Sequence, residues 1–177
     1  MDIESLTSQL PEYAKDIKLN LSSVLTEAGA PGLTQSQIMG IALTCACVTR
    51  HPALMAAMLA DAAAVLSEAE IRAAKAASVM MAMNNVYYRF LHLVEDPEFS
   101  SMRAGLRMNV LAQPGVPKID FELYSLAASA INACGNCIQA HVVQILKEGL
   151  TRQAVQSAVR IASVIEATAQ ALALDEQ

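Results

Sequence analysis

Apolar residues recur every three or four positions along most of this chain, the spacing that gathers them on one face of an α-helix. The pattern predicts helices over roughly 12–28, 34–50, 52–65, 68–93, 118–133, 134–148 and 152–173, and a short helix near the N-terminus. No segment is predicted to form a strand. We therefore expect an all-α fold, built as a bundle of helices.

Capping signals support several of these boundaries. Thr34 with Gln37, and Ser67 with Glu70, have the S/T-x-x-E/Q spacing in which each side chain bonds the other residue's free backbone N–H at a helix start. Gly149 follows the helix predicted at 134–148, where a left-handed glycine commonly ends a helix.

The segment Gln113-Pro114-Gly115-Val116-Pro117 interrupts the helical pattern, because a proline lacks a backbone donor and restricts the residue before it. We interpret residues 1–177 as one helical domain in which this break separates an N-terminal part, 1–112, from a C-terminal part, 118–177.

Composition agrees with a helical bundle. Of the 177 residues, 54% are apolar, mainly Ala, Leu, Val, Ile and Met, and none is Trp. This palette favours close-packed helices over a sheet, where β-branched and aromatic residues dominate. A small chain this apolar is expected to cover part of its surface with copies of itself, so we expect an oligomer.

Charge and segment length exclude several functions. The net charge is −5, and no basic stripe is present to bind a phosphate backbone or an anionic membrane. The first residues lack a basic, apolar secretion signal, and the apolar stretches 38–48 and 79–86 are too short to span a bilayer. We expect a cytosolic protein with no nucleic-acid or membrane partner.

The candidate chemistry lies in a Cys-x-x-Cys-x-x-x-His segment that contains Cys134, Cys137 and His141. At about 100° per residue, these three side chains fall within an arc of roughly 60° on one helix face. Gly135 and Asn136 suit a helix start rather than its middle, which places Cys134 at or near the helix N-terminus. That end of a helix and a nearby imidazolium both favour the reactive thiolate.

Such a dithiol can take up oxidising equivalents as a sulfenic acid on one sulfur, which the other sulfur resolves as a disulfide. Position at the helix end favours Cys134 as the nucleophile, whereas the imidazole one turn beyond favours Cys137. A zinc site and a pair of inert buried thiols are the other interpretations of the pair, although the chain has no second metal-binding motif. No nucleotide-binding glycine motif indicates a bound flavin or nicotinamide.

Glu122 lies twelve residues before Cys134 on a mostly apolar predicted helix, where a carboxylate is unexpected. It either orients His141 and relays protons, or meets the dipole at its own helix start. Asn84 and Asn85 are similarly unusual within an apolar helix and suit hydrogen bonding at an interface. Cys45 and Cys47 point about 160° apart on a helix, so we interpret them as core residues.

A weak internal repeat runs across the break. Leu66 aligns with Leu150, and Ala74 with Ala158, at a shared offset of 84 residues. At this offset Cys134, Cys137 and His141 align with Arg50, Ala53 and Ala57. If the repeat is real, the first copy is therefore scaffold and the second copy holds the site. Chance similarity in an alanine-rich chain is the alternative.

Together, Glu122, Cys134, Cys137 and His141 match the E-x11-C-x-x-C-x3-H signature, and the chain resembles the alkyl hydroperoxide reductase D (AhpD) alkylhydroperoxidases. Segments 10–21, 83–89 and 106–110 resemble the family's N-terminal and middle regions, so the likeness covers nearly the whole chain. One departure is Asn136, where the family often has His, and Asn cannot titrate.

The resemblance implies a homotrimeric, all-helical, AhpD-like bundle of the carboxymuconolactone decarboxylase-like superfamily. It implies that Cys137 forms the sulfenic acid, that Cys134 donates a proton and closes the Cys134–Cys137 disulfide, and that His141 and Glu122 relay protons. It also implies that dihydrolipoamide is the external reductant and that no cofactor or metal is bound. The implied electron donor is a lipoyl-bearing acyltransferase. The implied partner is a peroxiredoxin, the C-type alkyl hydroperoxide reductase.

Two rival functions remain at this point. One is a redox-sensing dithiol module, whose disulfide controls assembly rather than turnover. The other is a carboxymuconolactone decarboxylase-type enzyme, whose activity has no need of a dithiol.

Overall fold

Ten α-helices and one 3₁₀ turn form the regular structure of residues 2–175, the part of the chain that this computed structural model describes. Within that part there is no strand, and the predicted all-α fold is confirmed. The helices are α1 (Ile3–Thr7), α2 (Lys15–Val24), α3 (Gln35–Thr49), α4 (Pro52–Ala62), α5 (Glu68–Leu93), α6 (Pro97–Ser101), α7 (Asn109–Ala112), α8 (Lys118–Ile131), α9 (Gly135–Lys147) and α10 (Arg152–Asp175).

The predicted capping signals act as expected. Thr34 and Gln37 form a capping box at the start of α3, and Ser67 and Glu70 form another at the start of α5. Gly149 has a φ of +97° and follows the end of α9. These local bonds satisfy backbone groups that a helix end leaves free, which is why the predicted ends lie close to the observed ones.

The first long helix was predicted over 12–28, and the structure shortens it at both ends. A 3₁₀ turn occupies Glu12–Ala14, and α2 covers only Lys15–Val24. Beyond α2 the chain folds back, so that Gly29 lies against the backbone carbonyl of Ser23, where a side chain would collide. Thr26 closes this turn by accepting a hydrogen bond from the Gly29 N–H at 3.1 Å.

Two short helices, α6 and α7, were not predicted. Asp96 caps α6 by accepting a hydrogen bond from the Glu98 N–H at 2.9 Å, and Pro97 occupies its first turn. Such single turns carry too little hydrophobic spacing to be recognised from sequence. The predicted break at 113–117 is confirmed, since no helix forms between α7 and α8.

Helix α3 forms the centre of the core and packs against α4, α5, α8 and α10. It is apolar all round, and every residue from Ile38 to Ala46 is buried. At Gly40 the helix comes so close to the ring of Tyr124 on α8 that a β-carbon there would overlap it. A glycine in mid-helix is therefore required by close packing rather than by flexibility.

Helix α10 is, within residues 2–175, the one helix long and apolar enough to cross a membrane by length and composition. Half of its most apolar window is buried inside the protein. It packs against α2, α3 and α8 and carries exposed Arg160 and Glu166, as a core helix with one solvated side does. The internal two-fold repeat and the division into two parts stay predictions.

Candidate active site

A tight turn between α8 and α9 carries the two cysteines. Ala133 adopts the left-handed conformation with φ of +54°, and Cys134 follows in an extended conformation as the N-cap of α9. The Cys134 N–H donates to the Ser129 carbonyl at 3.1 Å, and the Cys134 carbonyl accepts from the Ile138 N–H at 2.9 Å. The structure thus places Cys134 at the helix N-terminus, as predicted.

Cys134 and Cys137 are joined in a disulfide, with their Cα atoms 5.3 Å apart. Their exposure differs: Cys134 has no exposed surface, whereas Cys137 is 7% exposed and faces a cavity. Of the two cysteines, Cys137 is therefore the one that lines the cavity.

Glu122 and His141 form a pair beside the disulfide. Nδ1 of His141 lies 2.7 Å from Oε2 of Glu122, and both side chains are largely buried. When Nδ1–H donates to the carboxylate, Nε2 is the ring nitrogen left for another partner. Of the two interpretations of Glu122, the structure shows the contact with His141 that the first requires.

The cavity next to the disulfide has a volume of about 180 Å³. Cys137 and His141 lie on its α9 wall with Asn136 and Ala140, and the remaining lining comes from α5 and α7: Met81, Asn84, Tyr88 and Leu111. Most of the surface that lines the cavity is apolar, although four of the eight residues carry polar groups. A small apolar cavity with convergent polar and reactive groups is the usual form of a substrate site.

A hydrogen-bond network ties the cysteine turn to α5. The Asn85 amide donates to Ser129 Oγ at 2.9 Å and accepts from Asn132 Nδ2 at 3.0 Å. Arg89 Nη1 donates to the Asn132 carbonyl at 2.7 Å. The sequence marked Asn85 as unusual and suited to hydrogen bonding at an interface, without deciding its role. Its partners in the structure lie in and beside the turn between α8 and α9, which is distant from it along the chain.

The other two cysteines lie in α3, away from this network. Cys45 is completely buried, and burial, reinforced by Cys47 and Glu166, raises the pKa of its thiol far above the ordinary value. Burial also raises the pKa of Cys47, against the opposing effects of Lys75 and Ser78. Both are free thiols; Cys45 is a core residue, as predicted, whereas Cys47 is only partly buried at the edge of the core.

The zinc site that the sequence left open for the cysteine pair needs four ligands, which Cys134, Cys137, His141 and Glu122 could nominally supply. In the structure the two sulfurs are bonded to each other and the carboxylate is bonded to the imidazole. Within the described range, residues 2–175, no group of three or more His, Cys, Asp or Glu side chains is arranged to hold a metal ion.

Comparison with known proteins identifies similar chains of similar length. A family model described as the carboxymuconolactone decarboxylase family matches residues 97–176, which include the cysteine turn and Glu122. Individual relatives are similar to this chain over nearly its whole length.

A protein named alkyl hydroperoxide reductase AhpD from Maricaulis maris (strain MCS10) is 50% identical over 175 residues, which cover 99% of each chain. Its namesake from Coxiella burnetii (strain RSA 493 / Nine Mile phase I) is 49% identical over 168 residues, or 95% of each chain. The namesake from Streptomyces griseus subsp. griseus is 49% identical over 167 residues, covering 94% of this chain and 93% of the relative.

Proposed function

Because this chain belongs to the AhpD family of alkyl hydroperoxide reductases, within the wider carboxymuconolactone decarboxylase family, we propose that it is an antioxidant peroxidase that reduces alkyl hydroperoxides with its Cys134/Cys137 dithiol. One observation carries the proposal. The accessible sulfur of the pair, Cys137, shares a cavity with His141, whose Nδ1 is bonded to Glu122.

The peroxide half-reaction begins with both cysteines reduced. The Cys137 thiolate attacks the terminal oxygen of the hydroperoxide, so that an S–O bond forms while the O–O bond breaks. The sulfur loses two electrons and becomes a sulfenic acid. The leaving alkoxide becomes the alcohol by taking, from Nε2 of His141, the proton that this nitrogen removed from the Cys137 thiol when the thiolate formed. Cys134 then attacks the sulfur of Cys137, the S–O bond breaks, and the hydroxide leaves as water with the proton of the Cys134 thiol.

Burial supports this order of the two cysteines. Cys134 lies at the helix N-terminus, which favours its thiolate, but it has no exposed surface. Cys137 is the sulfur that a peroxide in the cavity can meet. Cys134 is therefore the resolving thiol and proton donor in this proposal, and accessibility decides between them rather than the helix dipole.

The reductive half-reaction uses a dihydrolipoyl dithiol as an external reductant. One of its thiolates attacks Cys137 and releases Cys134 as a thiol, and its second sulfur displaces Cys137 as the lipoyl disulfide closes. By family resemblance, we propose a lipoyl-bearing acyltransferase as the donor. The reduced Cys134/Cys137 pair then passes electrons to a peroxiredoxin partner, the C-type alkyl hydroperoxide reductase. We place both reactions in the cytoplasm.

A homotrimer is part of the same proposal. Helix α5 turns its cavity side inward, whereas the opposite side exposes an apolar stripe: Val79, Val86, Phe90 and Leu93, at 70%, 62%, 46% and 69% exposure. The spacing of seven, four and three residues keeps this stripe on one face. Light scattering should give a mass of three chains, and a mass of one chain would contradict the trimer.

Lipoamide-dependent turnover of an alkyl hydroperoxide tests the activity. Cys137→Ser is expected to lose turnover and peroxide consumption. Cys134→Ser is expected to consume one equivalent of peroxide and then stop, because its sulfenic acid has no resolving thiol. Cys47→Ser, a change at a half-buried cysteine outside the site, is the matched control and should turn over like the wild type.

The same variants separate the rival functions. A redox-sensing module would change its oligomeric mass on oxidation without catalytic peroxide consumption. A decarboxylase acting on a small lactone acid would keep its activity in Cys134→Ser and Cys137→Ser. Turnover that is unaffected by both substitutions would overturn the peroxidase proposal.

A further inference from the structure

Helix α5 holds the turn that carries Cys134. Nη1 of the half-buried Arg89 donates to the Asn132 carbonyl at 2.7 Å, and the side chain of Asn132 donates to Asn85 Oδ1 at 3.0 Å. Asn132 is the C-cap of α8 and lies two residues before Cys134. The Arg89 guanidinium is thus the charged end of a network that reaches the backbone next to the cysteine.

The backbone of this turn is strained. Ala133, between Asn132 and Cys134, has a φ of +54°, in the left-handed region that residues other than glycine rarely adopt. A strained conformation persists where the surrounding structure holds the chain in place. The Asn132 carbonyl follows the last turn of α8, where carbonyl oxygens lack helical partners and carry a partial negative charge. A guanidinium N–H is a strong donor to such an oxygen.

None of these hydrogen bonds involves a sulfur atom, so reduction of the disulfide does not remove them. In the oxidised protein the bond between Cys134 and Cys137 itself keeps the two sulfurs together. In the reduced protein the position of Cys134 depends on its backbone. Its N–H donates to the Ser129 carbonyl at 3.1 Å, and Arg89 holds the carbonyl two residues before it. The Arg89 contact therefore matters most while the disulfide is open.

We propose that Arg89 is a positioning residue that keeps the Cys134 thiol within reach of oxidised Cys137 and so speeds closure of the disulfide. This inference rests on the proposed peroxidase activity and concerns its resolution step alone. In that step an S–S bond forms, the S–O bond of the sulfenic acid breaks, and the hydroxide leaves as water with the thiol proton. Arg89 exchanges no proton and acts through the backbone of Asn132, because a thiol held in place reacts faster than one that must first be ordered.

A competing reaction of the sulfenic acid measures how fast the disulfide closes. A sulfenic acid that Cys134 has not resolved reacts with a second hydroperoxide: another S–O bond forms, the O–O bond breaks, and the products are a sulfinic acid and an alcohol. Closure removes the sulfenic acid before this reaction occurs. The hydroperoxide concentration that converts half of Cys137 into sulfinic acid therefore rises in proportion to the rate of closure.

The test treats the full-length reduced protein with increasing cumene hydroperoxide in the absence of a reductant. Peptide mass spectrometry quantifies sulfinic acid at Cys137, and rapid acid quench with thiol alkylation gives the rate at which the Cys137 thiol is lost. The variant is Arg89→Met, which keeps an unbranched apolar stem and removes every donor. Cys134→Ser marks the limit at which no resolving thiol is present.

In Arg89→Met the half-conversion concentration should fall about tenfold, while the second-order rate constant of thiol loss stays within about twofold of the wild type. Arg89→Lys retains one charged donor, which is enough for a single bond to a carbonyl, and should return the concentration to within about threefold of the wild type. Arg72→Met makes the same change elsewhere on α5, at an exposed arginine paired with Glu68 at 3.3 Å, and should behave like the wild type. An arginine that only stabilised the fold would not alter the partition between disulfide and sulfinic acid.

Three results would overturn the inference: an unchanged half-conversion concentration in Arg89→Met, an equal fall in Arg72→Met, or equal values in Arg89→Met and Arg89→Lys. If Arg89→Met does not fold, Arg89→Gln supplies the same comparison, because its amide nitrogen ends two bonds short of the Nη1 position. If the wild type itself is not oxidised by the hydroperoxide, the proposed function fails. Oxidation and closure in the wild type with no effect at Arg89 defeat this inference alone.

Discussion

Nδ1 of His141 lies 2.7 Å from Oε2 of Glu122, and this hydrogen bond connects the middle of α9 to the first half of α8. The two residues are nineteen positions apart in the chain. In the proposed mechanism Nδ1–H donates to this carboxylate, and the other ring nitrogen takes part in proton transfer. An imidazole held in this way is preorganised before any substrate enters.

Glu122→Gln tests this arrangement. The amide keeps the size of the side chain but loses the negative charge that holds the Nδ1–H tautomer, so lipoamide-dependent peroxide turnover should fall about 100-fold, within the usual range for a proton-transfer group. Glu148→Gln, at the exposed end of α9, is the control and should change turnover less than about twofold. Equal turnover in Glu122→Gln and the wild type would exclude a role for the pair.

Cys45 is expected to resist alkylation as long as the protein is folded. It has no exposed surface, and burial raises the pKa of its thiol, so the reactive thiolate is scarce and shielded. Iodoacetamide labelling followed by peptide mass spectrometry should detect modification of Cys45 only after unfolding in urea. Labelling at the same rate in buffer and in urea would contradict the burial.

Gly40→Ala should destabilise the fold. Its added methyl would overlap the buried ring of Tyr124, and overpacking of this kind costs about 1–3 kcal/mol in the free energy of unfolding. Urea denaturation measures the change. Gly135→Ala is the matched control, since no atom lies within 4 Å of its added carbon, and the free energy should change by about 0.5 kcal/mol or less. Equal stability of both variants would be inconsistent with the close approach of α3 and α8.

Asp120→Asn should alter how stability depends on pH. Burial raises the pKa of Asp120 above its ordinary value of 3.8, although the hydrogen bond from Gln37 at 2.8 Å opposes the shift and Glu70 adds to it. A raised folded-state pKa means that the folded protein binds this proton more tightly. The wild type therefore loses stability as pH rises from the unfolded value through the folded one.

In Asp120→Asn the side-chain carbonyl oxygen still accepts the hydrogen bond from Gln37. Because asparagine does not titrate, the variant does not lose stability as the pH rises. The melting temperature of Asp120→Asn minus that of the wild type should become more positive between about pH 4 and neutrality and then level off. Thermal unfolding followed by circular dichroism measures the difference. A difference that becomes more negative over this interval would show that the carboxylate is stabilised, not destabilised, by its surroundings.

Prediction from sequence succeeded where the deciding contacts are local. The capping box of Ser67 and Glu70 spans three residues, so the start of α5 is encoded within one turn of helix. The position of Cys134 at the start of α9 follows in the same way from Gly135 and Asn136. The first long helix was predicted to continue to residue 28, but α2 ends at Val24 and the chain then folds back, so that Gly29 lies against the Ser23 carbonyl.

Partners that lie far apart in the chain were less accessible to prediction. Family resemblance placed Glu122 with His141, whereas hydrophobic spacing left the carboxylate with two interpretations. Asn84 and Asn85 are identical and adjacent in sequence, so no local signal distinguishes a fully bonded amide from one that faces the cavity. Their difference arises from a rotation of about 100° around α5, combined with the elements that pack on each side.

The sequence by itself determined most of the long helices, the capping boxes of α3 and α5, and the presence of two cysteines one turn apart, because these depend on contacts within three or four residues. Only the tertiary structure decided which sulfur meets the cavity, which side chain holds the imidazole and which asparagine bonds to the cysteine turn. Those outcomes depend on how α5, α8 and α9 pack, and that packing is set by the whole buried core around α3.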